Sequence, residues 1–175
     1  VDAQAVLYRC FRGLAALTRA VPRGVALRAA DGVATLAWTG YRLTPFRDFI
    51  QANLRAALPD APAEAIALAH VRELARNIVE VMRLPLLAHE EAAVVAGVDG
   101  WAHVQAARDA GRAVIVATAH FGNWELLGAM LASRGLPLHV LVQRPSQDAF
   151  DRLFKETRAA CGVQTWENAG AASLR

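Results

Sequence analysis

Three glycines set the rhythm of the second half of this chain. Gly111, Gly135 and Gly162 each follow a helix-patterned stretch and each precede a short apolar run. The runs are Ala113-Val114-Ile115-Val116-Ala117-Thr118, residues 138–143 and residues 163–166. Glycine ends a helix readily because it enters the left-handed conformation without a Cβ clash. Short apolar runs bounded by such stops read as strands, the first of them buried. The stretches between, about Gly100–Asp109, 123–134 and 147–160, read as helices. Strands that alternate with helices pair in parallel through right-handed crossovers. The predicted class is therefore α/β, with the first βαβαβ units of a mostly parallel sheet over residues 91–175.

Residues 1–90 carry a different pattern and read as a helical N-terminal layer of the same structural domain. Val6, Leu7, Cys10, Phe11, Leu14 and Leu17 recur at helical spacing, with Arg9, Arg12 and Arg19 mostly off that face. Pro22 and Gly24 interrupt before a second apolar segment, Val25 to Tyr41. Thr44-Pro45 predicts a helix start, with threonine as N-cap and proline in the first turn, running to about Leu58. Pro62 opens another helix, for which Val71, Leu74, Ile78, Val81 and Met82 form an apolar stripe. Arg72, Glu73, Arg76, Glu80 and Arg83 then read as its solvated face, and Pro85 closes the helical region.

Composition removes several classes of function. A chain of 175 residues with 55% hydrophobic and 20% charged residues can bury one good core. No uncharged stretch approaches the length of a spanning helix, and Arg9, Arg12, Arg19 and Arg23 break any signal-like apolar region. Cys10 and Cys161 lack metal-like spacing and read as buried thiols in a reducing compartment. Residues 1–58 hold eight arginines against three acids, whereas residues 59–175 are slightly acidic. This imbalance suits an anionic membrane surface; ordinary helix packing is the alternative. No aromatic-basic reader motif supports nucleic-acid binding.

Chemistry concentrates at His120-Phe121-Gly122-Asn123-Trp124-Glu125. In an open parallel sheet ligands bind beyond the carboxyl ends of strands, and His120 follows the first predicted strand. Gly122 lets the chain turn sharply, and Asn123 is a candidate N-cap. Glu125 then falls in the first helical turn, where the dipole favours a carboxylate. Such a carboxylate could fix one imidazole nitrogen of His120 and leave the other as a general base. Backbone N–H groups at the helix start suit an oxyanion. Acyl transfer to a substrate hydroxyl fits this arrangement, although from spacing alone a His and Glu five residues apart are usually structural. No third ligand lies near enough for a metal site. His103 and His139 read as partly buried structural histidines, His70 and His89 as surface residues.

The stretch Ala119 to Glu125 after an apolar strand closely resembles the bacterial lipid A biosynthesis acyltransferases, which carry an H-x4-[DE] motif and include the phosphatidylinositol mannoside acyltransferases. The resemblance extends along nearly the whole chain, through Asn53-Leu54 with Leu58-Pro59, Glu80, Trp101 and Gly111-Arg112. It continues through Val142-Gln143-Arg144-Pro145, with glutamine in place of an aromatic, and Arg158 with Gly162. It implies His120 as general base, Glu125 as its orienting partner and Arg158 as an active-site cation, with Gly122 and Asn123 at the substrate. Arg144 would either hold a phosphorylated acceptor or form a structural ion pair. The implied donor is an acyl thioester on acyl carrier protein or coenzyme A, a co-substrate with no separate cofactor. The implied acceptor is a membrane glycolipid, reached peripherally from the cytoplasmic face of the inner membrane. Family members continue beyond the point matching Ser173-Leu174-Arg175. The resemblance therefore leads one to expect a truncated sheet with an exposed apolar edge, and it admits a catalytically inactive membrane- or partner-binding remnant as the alternative.

Overall fold

Four long helices precede any strand. In the computed structural model, which describes residues 2–41, 43–87, 90, 95, 97–143 and 146–168, these are α1 (Ala3–Ala20), α2 (Arg23–Tyr41), α3 (Phe46–Ala57) and α4 (Ala63–Arg83). A 3-10 turn, Leu84–Leu86, follows. Then come α5 (Trp101–Asp109), α6 (Trp124–Ser133), β1 (His139–Val142), α7 (Asp148–Ala160) and β2 (Gln164–Glu167). The chain divides into two compact units, Val1–Arg83 with Pro145–Leu153, and Leu84–Arg144 with Phe154–Arg175.

In the helical unit α4 packs against α1, α2 and α3. The contact face of α2 is a ladder of small residues, Ala26, Ala30 and Ala34, ending at Trp38, all buried. Small side chains at i, i+4 and i+8 keep that face shallow, and α4 meets it with long arginines. Arg76 forks onto Asp31, Nε to Oδ1 at 2.7 Å and Nη2 to Oδ2 at 2.8 Å. Arg72 donates to Thr35 Oγ1 at 3.0 Å and Arg23 pairs with Glu80. Arg83, only 5% exposed, donates to the carbonyl of Val21 at 2.9 Å and to that of Thr18. Arg19 in turn donates to the carbonyl of Met82 at 2.6 Å.

Of the residues expected to be solvated, Arg72, Arg76, Glu80 and Arg83 thus lie on the packing face while Glu73 is exposed. Of the expected apolar stripe, Met82 is buried but Leu74 and Ile78 are exposed. The reason is geometric: an alanine ladder admits a forked guanidinium, and the ion pairs and carbonyl bonds satisfy most of the polar groups brought inside, Arg23 Nε being an exception. The N-cap expectation at Thr44 is also corrected. Pro45 occupies the cap position of α3, and the Thr44 hydroxyl donates backward to the Tyr41 carbonyl at 2.8 Å. Cys10 is exposed and Cys161 half-buried, where both were expected to be buried.

The second unit carries the sheet. β1 and β2 pair in parallel, His139 opposite Gln164 through Val142 opposite Glu167, with α7 as the connection that parallel strands require. The α/β class holds, and five of the six expected helix and strand positions after residue 100 fall within a residue or two of the prediction. The sixth differs. Residues 113–118 form neither helix nor strand, and Ile115 is 95% exposed instead of buried. Apolar β-branched residues supply strand preference, but a strand exists only through a neighbour's ladder. Among the described residues β1 and β2 are paired with each other alone.

The core of this unit is conventional, with Leu84, Leu87, Met130, Leu131, Leu136 and Val163 buried. Gly128 brings α6 close to the sheet, since a Cβ there would meet Leu138 Cδ2 at 3.4 Å. Gly135, at φ +80°, ends α6 as its position suggested.

Candidate active site

A left-handed turn at Gly122, φ +61°, swings the chain from the 113–121 segment into α6. Asn123 caps the helix: its Oδ1 accepts from the Leu126 N–H at 3.1 Å. That cap sets the phase of everything after it, with Trp124 first in the helix and Glu125 in its first turn. Negative charge is favoured there by the helix dipole.

Glu125 reaches across to α7. Arg158 Nε donates to its Oε2 at 2.8 Å, and Arg158 Nη2 bonds the second oxygen, Oε1. The side chains are 10% and 16% exposed, a largely secluded charge pair. Arg158 stands in the last turn of its helix, where a cation is favoured. Its guanidinium also lies 5.4 Å from the ring centre of Phe154, one turn earlier. Two helix ends of opposite polarity and a two-point fork therefore hold one charge pair.

His120 is exposed, and its ring meets the indole of Trp124 with centroids 4.5 Å apart at 56°. Among the described residues it makes no hydrogen bond. The structure brings Glu125 to Arg158, not to His120, so both carboxylate oxygens expected to fix the imidazole are engaged by the guanidinium. Gly122 and Asn123 shape the turn between them. Arg144 lies outside the described residues, as does His89. His103 and His139 are exposed rather than partly buried; His139 Nδ1 accepts a 3.0 Å hydrogen bond from Trp166 Nε1 on the neighbouring strand. Among the described residues no three His, Cys, Asp or Glu side chains converge as metal ligands, and no helix is long and apolar enough to cross a membrane.

Sequence reasoning missed two contacts. Trp124 lies four residues after His120, a spacing that could have suggested a ring contact across the turn. The Arg158–Glu125 fork spans 33 residues, and no local pattern announces it.

Comparison with known proteins agrees with the motif. The family model described as bacterial lipid A biosynthesis acyltransferase matches residues 6–174. A phosphatidylinositol mannoside acyltransferase of Mycolicibacterium smegmatis is 28% identical over 118 residues, covering 66% of this chain and 39% of the relative. A protein of the same description from Mycobacterium tuberculosis is 28% identical over 111 residues, covering 61% of this chain and 34% of its own. The match thus spans little more than a third of the curated relatives. No solved structure matches the chain.

Proposed function

Because the chain belongs to the bacterial lipid A biosynthesis acyltransferase family, we propose that His120 is the general base in transfer of a fatty acyl group from a thioester to a hydroxyl, or a hydroxyacyl hydroxyl, of a membrane glycolipid. One imidazole nitrogen takes the acceptor proton as the acceptor oxygen attacks the thioester carbonyl carbon. The tetrahedral intermediate collapses with cleavage of the C–S bond, and the imidazolium returns the proton to the departing thiolate. The observation that carries this reading is an exposed imidazole on the same short turn as a secluded, forked carboxylate–guanidinium pair. General acid–base catalysis needs that division: a solvent-facing base beside a fixed charge arrangement.

In this reading Arg158 is the cation that meets the oxyanion or a substrate phosphate. Glu125 holds it, and orients His120 by exchanging one of its two arginine contacts when the substrate binds. Gly122 and Asn123 border the acceptor, and Arg144 is assigned to a phosphorylated acceptor. The donor is acyl carrier protein or coenzyme A in thioester form. The acceptor is of the lipid A precursor type; the mycobacterial relatives make a phosphatidylinositol mannoside the alternative.

The reaction is assigned to an anionic membrane surface, reached peripherally from the cytoplasmic face, and the helical unit supports the membrane contact alone. Val33, Leu36, Leu43, Phe46 and Phe49 are all exposed along α2, the turn after it and α3. An apolar surface of this extent on an arginine-bearing helical layer suits the headgroup boundary of a bilayer. The decisive experiment is His120→Ala in the complete gene product, assayed with acyl thioester and glycolipid. Loss of acyl transfer with unchanged circular dichroism is expected; wild-type turnover would sink the assignment.

A further inference from the structure

With both oxygens of Glu125 on Arg158, the imidazole of His120 depends on other contacts for its orientation. Its backbone is pinned first. The Phe121 N–H donates to the Ala119 carbonyl at 2.8 Å, which closes a three-residue turn with His120 at its centre. No residue other than glycine has a positive φ among the described residues, so this is the common inverse γ-turn and not the strained form. The side chain is then met by the indole of Trp124, ring centres 4.5 Å apart and tilted by 56°, within the separation at which ring pairs attract. Trp124 is itself anchored. It is the first residue of α6, behind the Asn123 cap, and the Asn123 carbonyl accepts from the Leu127 N–H at 3.1 Å. It is 40% exposed, against 90% for Phe121 on the same turn. A ring carried by a helix is a more precise support than one carried by a loop.

A second tryptophan–histidine pair shows what is particular about the first. Trp166 and His139 lie on β2 and β1 with ring centres 6.2 Å apart, and Trp166 Nε1 donates to His139 Nδ1 at 3.0 Å. That contact occupies an imidazole nitrogen. Trp124 meets His120 through the ring alone, and among the described residues His120 makes no hydrogen bond. A general base needs an unoccupied nitrogen, and it needs that nitrogen held in one direction. A ring contact supplies the second without taking up the first. We propose that Trp124 is a positioning residue for the general base: its indole holds the His120 imidazole in the pose from which it takes the acceptor proton. It does so before substrate draws Glu125 into contact, and it acts only through His120. The inference rests on the acyl-transfer reading and deepens it.

The complete gene product is assayed with acyl thioester and glycolipid as wild type, Trp124→Leu, Trp124→Phe, Trp166→Leu and His120→Ala, each checked for folding by circular dichroism. Trp124→Leu is expected to lower kcat about tenfold or more while KM stays within about twofold. Trp124→Phe, which keeps a ring at the same place, recovers most of that loss. Trp166→Leu, at an exposed position on β2, turns over like wild type. A second readout is the shift of the His120 ring protons in isotope-labelled protein. The indole ring current displaces them in wild type, and Trp124→Leu returns them toward free histidine. Undisplaced ring protons in wild type would overturn the contact whatever the kinetics. A raised KM with unchanged kcat in Trp124→Leu would make the indole a substrate contact and overturn the positioning role, as would an equal loss in Trp166→Leu. An inactive His120→Ala beside a fully active Trp124→Leu removes the positioning role alone. A fully active His120→Ala removes the general-base reading and this role with it.

Discussion

The two units of this protein bury opposite chemistry. In the helical unit much of the inward surface is alanine and charge, Ala26, Ala30 and Ala34 against Arg76 and Arg83, with Tyr8, Trp38 and Met82 as the large buried side chains, while Leu36, Phe46 and Phe49 face outward. In the sheet unit the inward residues are Leu84, Met130, Leu131 and Leu136, and charge enters the interior at Glu125–Arg158. Arginine is used in both, for different ends. In the first it replaces the apolar contacts that would ordinarily join helices; in the second it fixes one carboxylate beside a solvent-facing histidine. The difference teaches that a buried arginine here is not by itself a sign of function. What marks Arg158 is its partner, an acid one turn from an exposed base.

The sharpest way to break the comparison is to remove one half of the secluded pair. Arg158→Ala leaves Glu125 without its fork and should cost the sheet unit about 3 kcal/mol, read by denaturant unfolding. Arg158→Ala/Glu125→Ala should recover part of that loss; if the single variant unfolds like wild type, the pair is not what holds α6 and α7 together. Next in size is Arg83→Ala, which strips charged donors from the carbonyls of Thr18 and Val21. A cost of about 2 kcal/mol is expected, seen as a lower urea midpoint and faster amide exchange at the end of α1. An unchanged midpoint would return the helical unit to ordinary apolar packing.

A smaller effect depends on pH. The hydrogen bonds and charge of Arg76 hold the Asp31 carboxyl below the usual carboxylate range. A carboxylate lowered in the folded state binds its proton more readily when unfolded. It therefore contributes stability above its unfolded value, and that contribution is lost as pH falls through the folded one. Asp31→Asn should melt lower than wild type at neutral pH, and the two melting temperatures should converge in strong acid. A constant gap across the titration would contradict this role. The smallest stability effect is expected on the outer surface. Leu36→Gln/Phe49→Gln should change stability in water by less than about 0.5 kcal/mol while reducing flotation with anionic vesicles. A large loss in water would show that these side chains are covered.

What could be read from the sequence followed how local its cause was. Gly135 and Gly162 mark helix ends because backbone conformation is decided within a turn, and Asn123 caps α6 for the same reason. The turn at 120–125 was legible as a site because its parts are adjacent. Leu74 and Ile78 misled because periodicity finds a stripe without saying what meets it. The partner face on α2 turned out to be alanine, and arginine fitted it better than leucine. The run 113–118 misled for a related reason, since strand preference is local and strand pairing is not. Arg158 reached the site through a fold that no spacing within 33 residues encodes.

The reach of Arg83 has a consequence for how the chain comes into being. Its bonds to the carbonyls of Thr18 and Val21 span 65 and 62 residues. A polypeptide grows from its N-terminus, so α1 leaves the ribosome with those carbonyls open to water. Asp31 likewise emerges 45 residues before Arg76. The first two helices wait for the fourth, and the docking of α1 and α2 is timed by the synthesis of α4.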